Sequence, residues 1–260
     1  MGSTNENSAF GPALNPWDTN RVAGGSSGGS AVAVCAGQAP ISLGTETGGS
    51  VRQPAALTGT LGLKPTYGRI SRYGVVAYAS SCDQVGPFAR SAHDLAVTMQ
   101  TISGYDENDS TSMDIETPNY LEQIKNTPDL KGKTVGIPSS FFSDSFSGGS
   151  LNPEIEKSFQ QSIKTLEKLG AKVIDIELPS LKYAISAYYV LACAEASSNL
   201  SRYDGVRYGQ RTTKASNLKE MYEKTRAEGF GPEVKRRIMM GTFALASGYY
   251  DAYYLSLIHI

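Results

Sequence analysis

At 260 residues and 27.8 kDa, with 40% hydrophobic and 19% charged residues, the chain has the make-up of an ordinary globular protein with one large core or two modest ones. A formal net charge of -1 supplies no global field for nucleic acid or a membrane surface, and no apolar run nears the roughly 20 residues that cross a bilayer. Cys35, Cys82 and Cys193 are odd in number and scattered, which excludes a disulfide framework and a CxxC metal site; with an N-terminus, MGSTNENS, that is neither basic nor apolar, the reading is a cytoplasmic protein without a metal.

Residues 24–30 read GGSSGGS, and the small apolar residues 30–36 predict a tightly packed helix entered from that loop. ISLGT, residues 41–45, predicts a short buried strand running into a second glycine turn, TGGS, at 47–50. Ser26 and Ser50 therefore both stand at element junctions, where backbone N–H groups lie open. Residues 64–87 read as a loop-rich stretch. Residues 91–103 predict a helix capped by Ser91, with His93 on its exposed first turn. Residues 104–130, rich in Asp, Asn, Ser and Thr, read as surface loop with one short helix at YLEQIK.

KTVGIP, residues 133–138, is strand-like. Residues 141–153 form a turn or insertion ending at Asn152-Pro153, an N-cap and first helical position. The helix that follows sets Ile155, Phe159, Ile163, Leu166 and Leu169 on one face, and KVIDIEL, residues 172–178, alternates as a strand. Two long helices, residues 184–202 and 232–254, complete the pattern. Strands alternating with helices predict an α/β fold with a largely buried sheet.

A serine hydroxyl is a weak nucleophile until a base takes its proton, and acyl transfer needs N–H donors aimed at the developing oxyanion. Thr47, Gly48, Gly49 and Ser50 can supply both, since glycines allow a sharp turn whose N–H groups face one concavity. The usual imidazole base is scarce: the histidines are His93 and His259. A lysine can replace it, with a second serine relaying the proton, and Ser26 suits that relay. Alone, GGSSGGS also fits a flexible linker or a phosphate nest, although it lacks both GxxxxGK[ST] and GxGxxG.

The ordered run GGSSGGSAVAV, GTETGGSVRQPAA and GLKPTYGRIS resembles the amidase signature family, whose two motif serines are separated as Ser26 and Ser50 are. The resemblance implies the amidase signature fold, a twisted mixed β-sheet sandwiched between helices. It also implies that Ser50 is the acyl-forming nucleophile, that Ser26 is a relay residue on a cis peptide bond, and that Thr47, Gly48 and Gly49 shape the oxyanion hole. Later segments, among them YYVLACAEASSNLSRYDGVRYG and EGFGPEVKRRIMMG, resemble the branch of the family that serves as the glutaminase component of tRNA-dependent amidotransferases.

That branch implies glutamine as substrate, with Tyr188 and Arg237 binding it, a planar guanidinium being suited to its α-carboxylate; Tyr189 and Arg236, each one residue away, stay open as alternatives, as does a plain solvated helix face at residues 235–237. It implies B and C subunits as partners, tRNA reached through the B subunit, and ATP and Mg used by the whole complex with no cofactor in this chain. Glu46 stands where the motif commonly has aspartate. The family's base lysine lies upstream of GGSSGG, where this sequence has none, and Lys64 belongs to a different motif. The chain thus reads as the central portion of one domain, residues 1–254, incomplete at both ends and with little or no glutaminase activity alone. Residues 255–260, LSLIHI, resemble a translated sequencing adaptor and read as a non-native tail. A stand-alone amidase acting on small amides, which shares both serines, stays open at this point, as does a non-enzymatic phosphate-binding module.

Overall fold

The structure, a computed structural model, describes residues 1–125, 129–142 and 151–259. It comprises two compact units, Met1–Leu121 with Ala187–Ile260, and Glu122–Ser186. Among the described residues no helix is long and apolar enough to cross a membrane.

The larger unit begins with α1 (Gly28–Cys35), β1 (Ile41–Glu46), α2 (Arg52–Thr58), β2 (Leu61–Gly62), β3 (Gln84–Ala89) and α3 (Ala92–Ile102). Its sheet runs β1-β3-β2, both pairs antiparallel, with Ile41 opposite Ala89, Glu46 opposite Gln84 and Leu61 also opposite Ala89. The central strand begins inside the stretch read as loop from sequence, residues 64–87, and runs past its end to Ala89. Gly86 and Pro87 give that segment the look of a turn, and Pro87 has no N–H. It serves the sheet as an acceptor instead, its carbonyl taking the Leu63 N–H at 3.0 Å.

Strand β1 is where predicted but not buried as predicted: Ile41 and Leu43 are 39% and 48% exposed. Its other face is held to α1 by hydroxyls. Ser30 Oγ donates to Leu43 O and Ser42 Oγ to Ser30 O, both at 2.8 Å, and Ser27 Oγ bonds both N and O of Thr45 at 3.1 Å. Ala31, Val34, Val51, Ala55 and Phe88 close the core beneath them. A second cluster joins Ile70, Val85 and Met99. Ser91 caps α3 as expected, accepting from Asp94 N at 3.1 Å, and His93 is exposed.

Three helices complete this unit: α6 (Ala184–Asn199), which enters it at residue 187, α7 (Leu218–Gly229) and α8 (Pro232–Ala244). Helix α7 was not anticipated, although its start is legible: Asn217 Oδ1 accepts from Glu220 N at 3.0 Å and Glu220 Oε2 accepts from Ser216 N at 3.1 Å, an Asx-x-x-Glu box. The last helix ends at Ala244, ten residues short of the expected Tyr254; Gly248 at φ +88° turns the chain before a separate turn at Tyr250–Tyr254. Helices α6 and α8 cross at contact distance, so a methyl group on Gly241 would overlap the Cys193 carbonyl. Gly241→Ala is expected to cost about 1–3 kcal/mol, or roughly 2–12 °C of melting temperature, by overpacking. An unchanged thermal melt would contradict that crossing.

The smaller unit contains β4 (Thr134–Pro138), α5 (Pro153–Lys168) and β5 (Lys172–Ile176), all as predicted, with α4 (Tyr120–Lys125) leading into it at YLEQIK. Strands β4 and β5 pair in parallel, Thr134 opposite Lys172 and Pro138 opposite Ile176, as a helical crossover requires. Asn152 caps α5 by accepting from Glu154 N at 2.8 Å. Of its predicted apolar face, Phe159, Ile163 and Leu166 are half-buried, with Phe142 packed edge-on to Phe159, whereas Ile155 and Leu169 are exposed. Residues 126–128 and 143–150, which belong to the predicted loop and insertion, lie outside the described residues. Helices on strands in both units make the chain α/β, with antiparallel and parallel pairings in separate sheets.

Candidate active site

The two glycine loops meet. Ser27 N donates to Ser50 O at 3.1 Å, so the residues beside and at the two motif serines share a hydrogen bond across 23 positions of chain. The Gly25–Ser26 peptide bond is cis, as the family resemblance implied. Ser26 is exposed and Ser50 half-buried. Asn5, which sequence reasoning did not single out, packs on this loop: its Nδ2 donates to Ser26 O at 3.4 Å while its Oδ1 accepts from Ala13 N at 2.7 Å.

The turn before Ser50 is clamped from both ends. Glu46, 1% exposed, accepts the N–H groups of Val51 and Arg52 on Oε2, each at 3.0 Å, and the Arg52 guanidinium on Oε1. One carboxylate thereby fixes the chain directly after Ser50 and caps α2. Thr47 Oγ1 donates to the buried carboxylate of Asp83. Between these anchors Gly49 takes φ +108°, a conformation that favours glycine. Among the described residues the N–H groups of Gly48, Gly49 and Ser50 donate to no protein oxygen, which leaves them open to a ligand. The added methylene of Glu46 relative to aspartate still reaches both N–H groups.

Asp83 does more than hold Thr47: its Oδ2 accepts from Tyr78 N at 2.7 Å and Ala79 N at 2.9 Å. The loop it shapes carries Tyr78 to Arg237, whose Nη1 donates to the phenol oxygen at 2.8 Å. Of the two arginines that the sequence leaves side by side, Arg237 has a side chain only 8% exposed and Arg236 one 65% exposed, so Arg237 faces inward and Arg236 outward. Glu233, one helical turn earlier, takes Arg237 Nε at 2.7 Å and also pairs with Arg236. Burial opposes the charge on Arg237, and the hydrogen bonds of Glu233 and Tyr78 outweigh it, so its pKa is raised. Tyr188 lies against the nucleophile turn: a methyl on Gly48 would come within 2.7 Å of its ring. Tyr189 is turned toward Arg237, 5.7 Å from ring centre to guanidinium.

The structure thus gathers Ser50, Thr47, Gly48, Gly49 and Tyr188 at one turn, ties Ser26 to it through the neighbouring Ser27, and brings Arg237 to them through Tyr78 and Asp83. Lys64 is engaged elsewhere, its Nζ donating to Pro65 O at 2.8 Å and Gln84 Oε1 at 3.2 Å. Among the described residues no group of three or more His, Cys, Asp or Glu could hold a metal. Asn5, Tyr78, Asp83 and Glu233 are the additions to the sequence reading. Only Glu233 carried a local signal, its spacing of four from Arg237 on a helix.

The family model described as Amidase matches residues 1–260. The A subunit of the glutamyl-tRNA(Gln) amidotransferase of Sulfurihydrogenibium sp. (strain YO3AOP1) is 59% identical over 255 residues, 98% of this chain and 51% of that protein. Its counterpart from Carboxydothermus hydrogenoformans is 55% identical over 260 residues, 100% of this chain and 52% of that protein. The crystal structure of the same component of the glutamyl-tRNA(Gln) amidotransferase from Thermotoga maritima superimposes with a TM-score of 0.76 at 42% identity, covering 100% of this chain and 50% of its own. The chain spans about half the length of the relatives it matches. Because the family model runs the whole length of the chain and the solved relative shares its fold, the chain belongs to the amidase signature family.

Proposed function

We propose that this chain is the glutamine-hydrolysing part of the A subunit of a tRNA-dependent amidotransferase. The observation that carries the proposal is the Ser27–Ser50 hydrogen bond, which holds both motif serines at one turn of unused N–H groups. Ser50 Oγ attacks the carboxamide carbon of glutamine and its proton passes through Ser26 to a lysine base. The carbonyl oxygen becomes an oxyanion received by the open N–H groups of Gly48, Gly49 and Ser50 in the turn that Thr47 anchors; one such donor is worth about 3–4 kcal/mol in the transition state. Collapse breaks the C–N bond, ammonia leaves with the returned proton, and water then releases glutamate from the Ser50 ester. Tyr188 packs the substrate against the turn and Arg237 receives the α-carboxylate.

By the family resemblance the base is a lysine upstream of the GGSSGG loop, and Lys64 is tied to Pro65 and Gln84. The ammonia serves a B subunit that activates Glu-tRNA(Gln) or Asp-tRNA(Asn) with ATP and Mg, a C subunit joining the two in a cytoplasmic complex. The similarity to the named amidotransferase components supports this reading over a free-standing amidase.

The test is a chimera in which residues 1–254 replace the matching segment of the full-length Sulfurihydrogenibium relative, produced with that relative's partner subunits. The chimera is expected to hydrolyse glutamine, and the purified 260-residue chain to do so at least about a hundredfold more slowly, the contribution of a missing general base. Equal turnover by the two would overturn the assignment of the base.

A further inference from the structure

We infer that Tyr78 is a second donor to the carboxylate of the substrate, beside Arg237. The inference rests on the proposed placement of the glutamine α-carboxylate at Arg237 and adds a residue to it.

The phenol oxygen of Tyr78 accepts from Arg237 Nη1 at 2.8 Å, with the guanidinium 5.9 Å from the ring centre. An oxygen that accepts in this way still has its own proton to give, and among the described residues that proton is donated to no acceptor. Burial, the largest influence, pushes the phenol pKa well above its usual value, while the Arg237 hydrogen bond pulls against it. The group therefore stays a neutral O–H donor at neutral pH. It stands next to a cation that is only partly neutralised, since Glu233 is shared between two guanidinium groups. A neutral donor and a cation side by side fit the two oxygens of one planar carboxylate, and a primary amide without a carboxylate gains nothing from them.

The phenol is also held at a set distance from the chemistry. Its own N–H goes to Asp83 Oδ2 at 2.7 Å, and the other oxygen of Asp83 takes Thr47 Oγ1 in the turn that carries Ser50. Its carbonyl accepts from Asn199 Nδ2 at 3.1 Å. The carboxylate donors and the nucleophile are thus tied through one buried side chain. A substrate whose carboxylate and carboxamide are separated by a fixed number of bonds is favoured over shorter or neutral amides.

Tyr78→Phe, made in the chimera, removes the hydroxyl with no change of shape. It is expected to raise the KM for glutamine about ten- to a hundredfold, the worth of a hydrogen bond to a charged group, with kcat for glutamine and kcat/KM for butyramide unchanged. Combined with Arg237→Ala it is expected to raise KM beyond Arg237→Ala alone, because the phenol touches the carboxylate itself. A wild-type KM for Tyr78→Phe, or a loss absorbed fully by Arg237→Ala, overturns the inference. If Arg237→Ala and Tyr78→Phe are both silent, the carboxylate lies elsewhere and the placement of the substrate fails with it.

Discussion

Ser50→Ala in the chimera is expected to lower glutamine turnover by about 10⁴-fold or more, the scale on which loss of a nucleophile acts in serine hydrolases. The substitution removes only the hydroxyl. The Ser50 carbonyl that accepts from Ser27 N is retained, as are the Glu46 bonds to Val51 N and Arg52 N that fix the chain beyond it. The melting temperature should therefore stay at that of the parent, which separates lost chemistry from lost structure. Ser26→Ala is expected to cost less, about 10²–10⁴-fold, because a relay contributes proton transfer and not the bond-forming atom. Kinetics of both variants beside thermal melts check this ordering; a reversed order would move the nucleophile to Ser26.

The second large effect is expected at Glu46. Glu46→Ala leaves the N–H groups of Val51 and Arg52 without an acceptor and the Arg52 guanidinium without its partner. An orphaned buried N–H costs about 1–3 kcal/mol, so a loss on the order of 3–5 kcal/mol of stability is expected for the pair. Glu46 fixes the chain directly after the turn at 47–50, and misplacement of a reacting group by even an ångström is worth about 10² in rate; activity is expected to fall by about that much. Glu46→Asp keeps the charge and shortens the reach by one carbon, so it should retain more of both. Chemical denaturation and steady-state kinetics on the two variants measure this, and wild-type stability in Glu46→Ala would show that the buried carboxylate does not organise the turn.

What the sequence made legible is what is local. The serines lie in short glycine-rich runs whose turn chemistry can be read residue by residue, and the caps at Ser91 and Asn152 are likewise contained within a few positions. Strand β3 was hidden because Gly86 and Pro87 imitate a turn, while its place at the sheet centre is set by strands distant in sequence, with Leu61 and Ile41 both opposite Ala89. Ile41 and Leu43 are exposed while hydroxyl bonds between Ser30 of α1 and Ser42 and Leu43 of β1 hold the strand to the helix, a tertiary arrangement that alternation cannot reveal. Helix α8 was overextended because Gly248 stands in a run of aromatic residues that still suits a helix.

The same division holds within the site. Tyr188 and Arg237 came from the family resemblance and not from any pattern of their own, and the choice of Arg237 over Arg236 needed burial to decide it. Asp83 gave no sequence signal because its three acceptor bonds reach Thr47 across 36 positions as well as the nearby backbone of Tyr78 and Ala79. Glycine turns announce a nucleophile, whereas the carboxylates that hold such turns in place emerge only from the folded chain.

The most direct measurement is peptide mass mapping of the chimera after reaction with a fluorophosphonate, which forms a stable ester with an activated serine. A single adduct on the peptide containing Ser50, absent from Ser50→Ala and prevented by excess glutamine, is the expected result. An adduct on another residue, or undiminished glutamine hydrolysis by Ser50→Ala, would contradict the account.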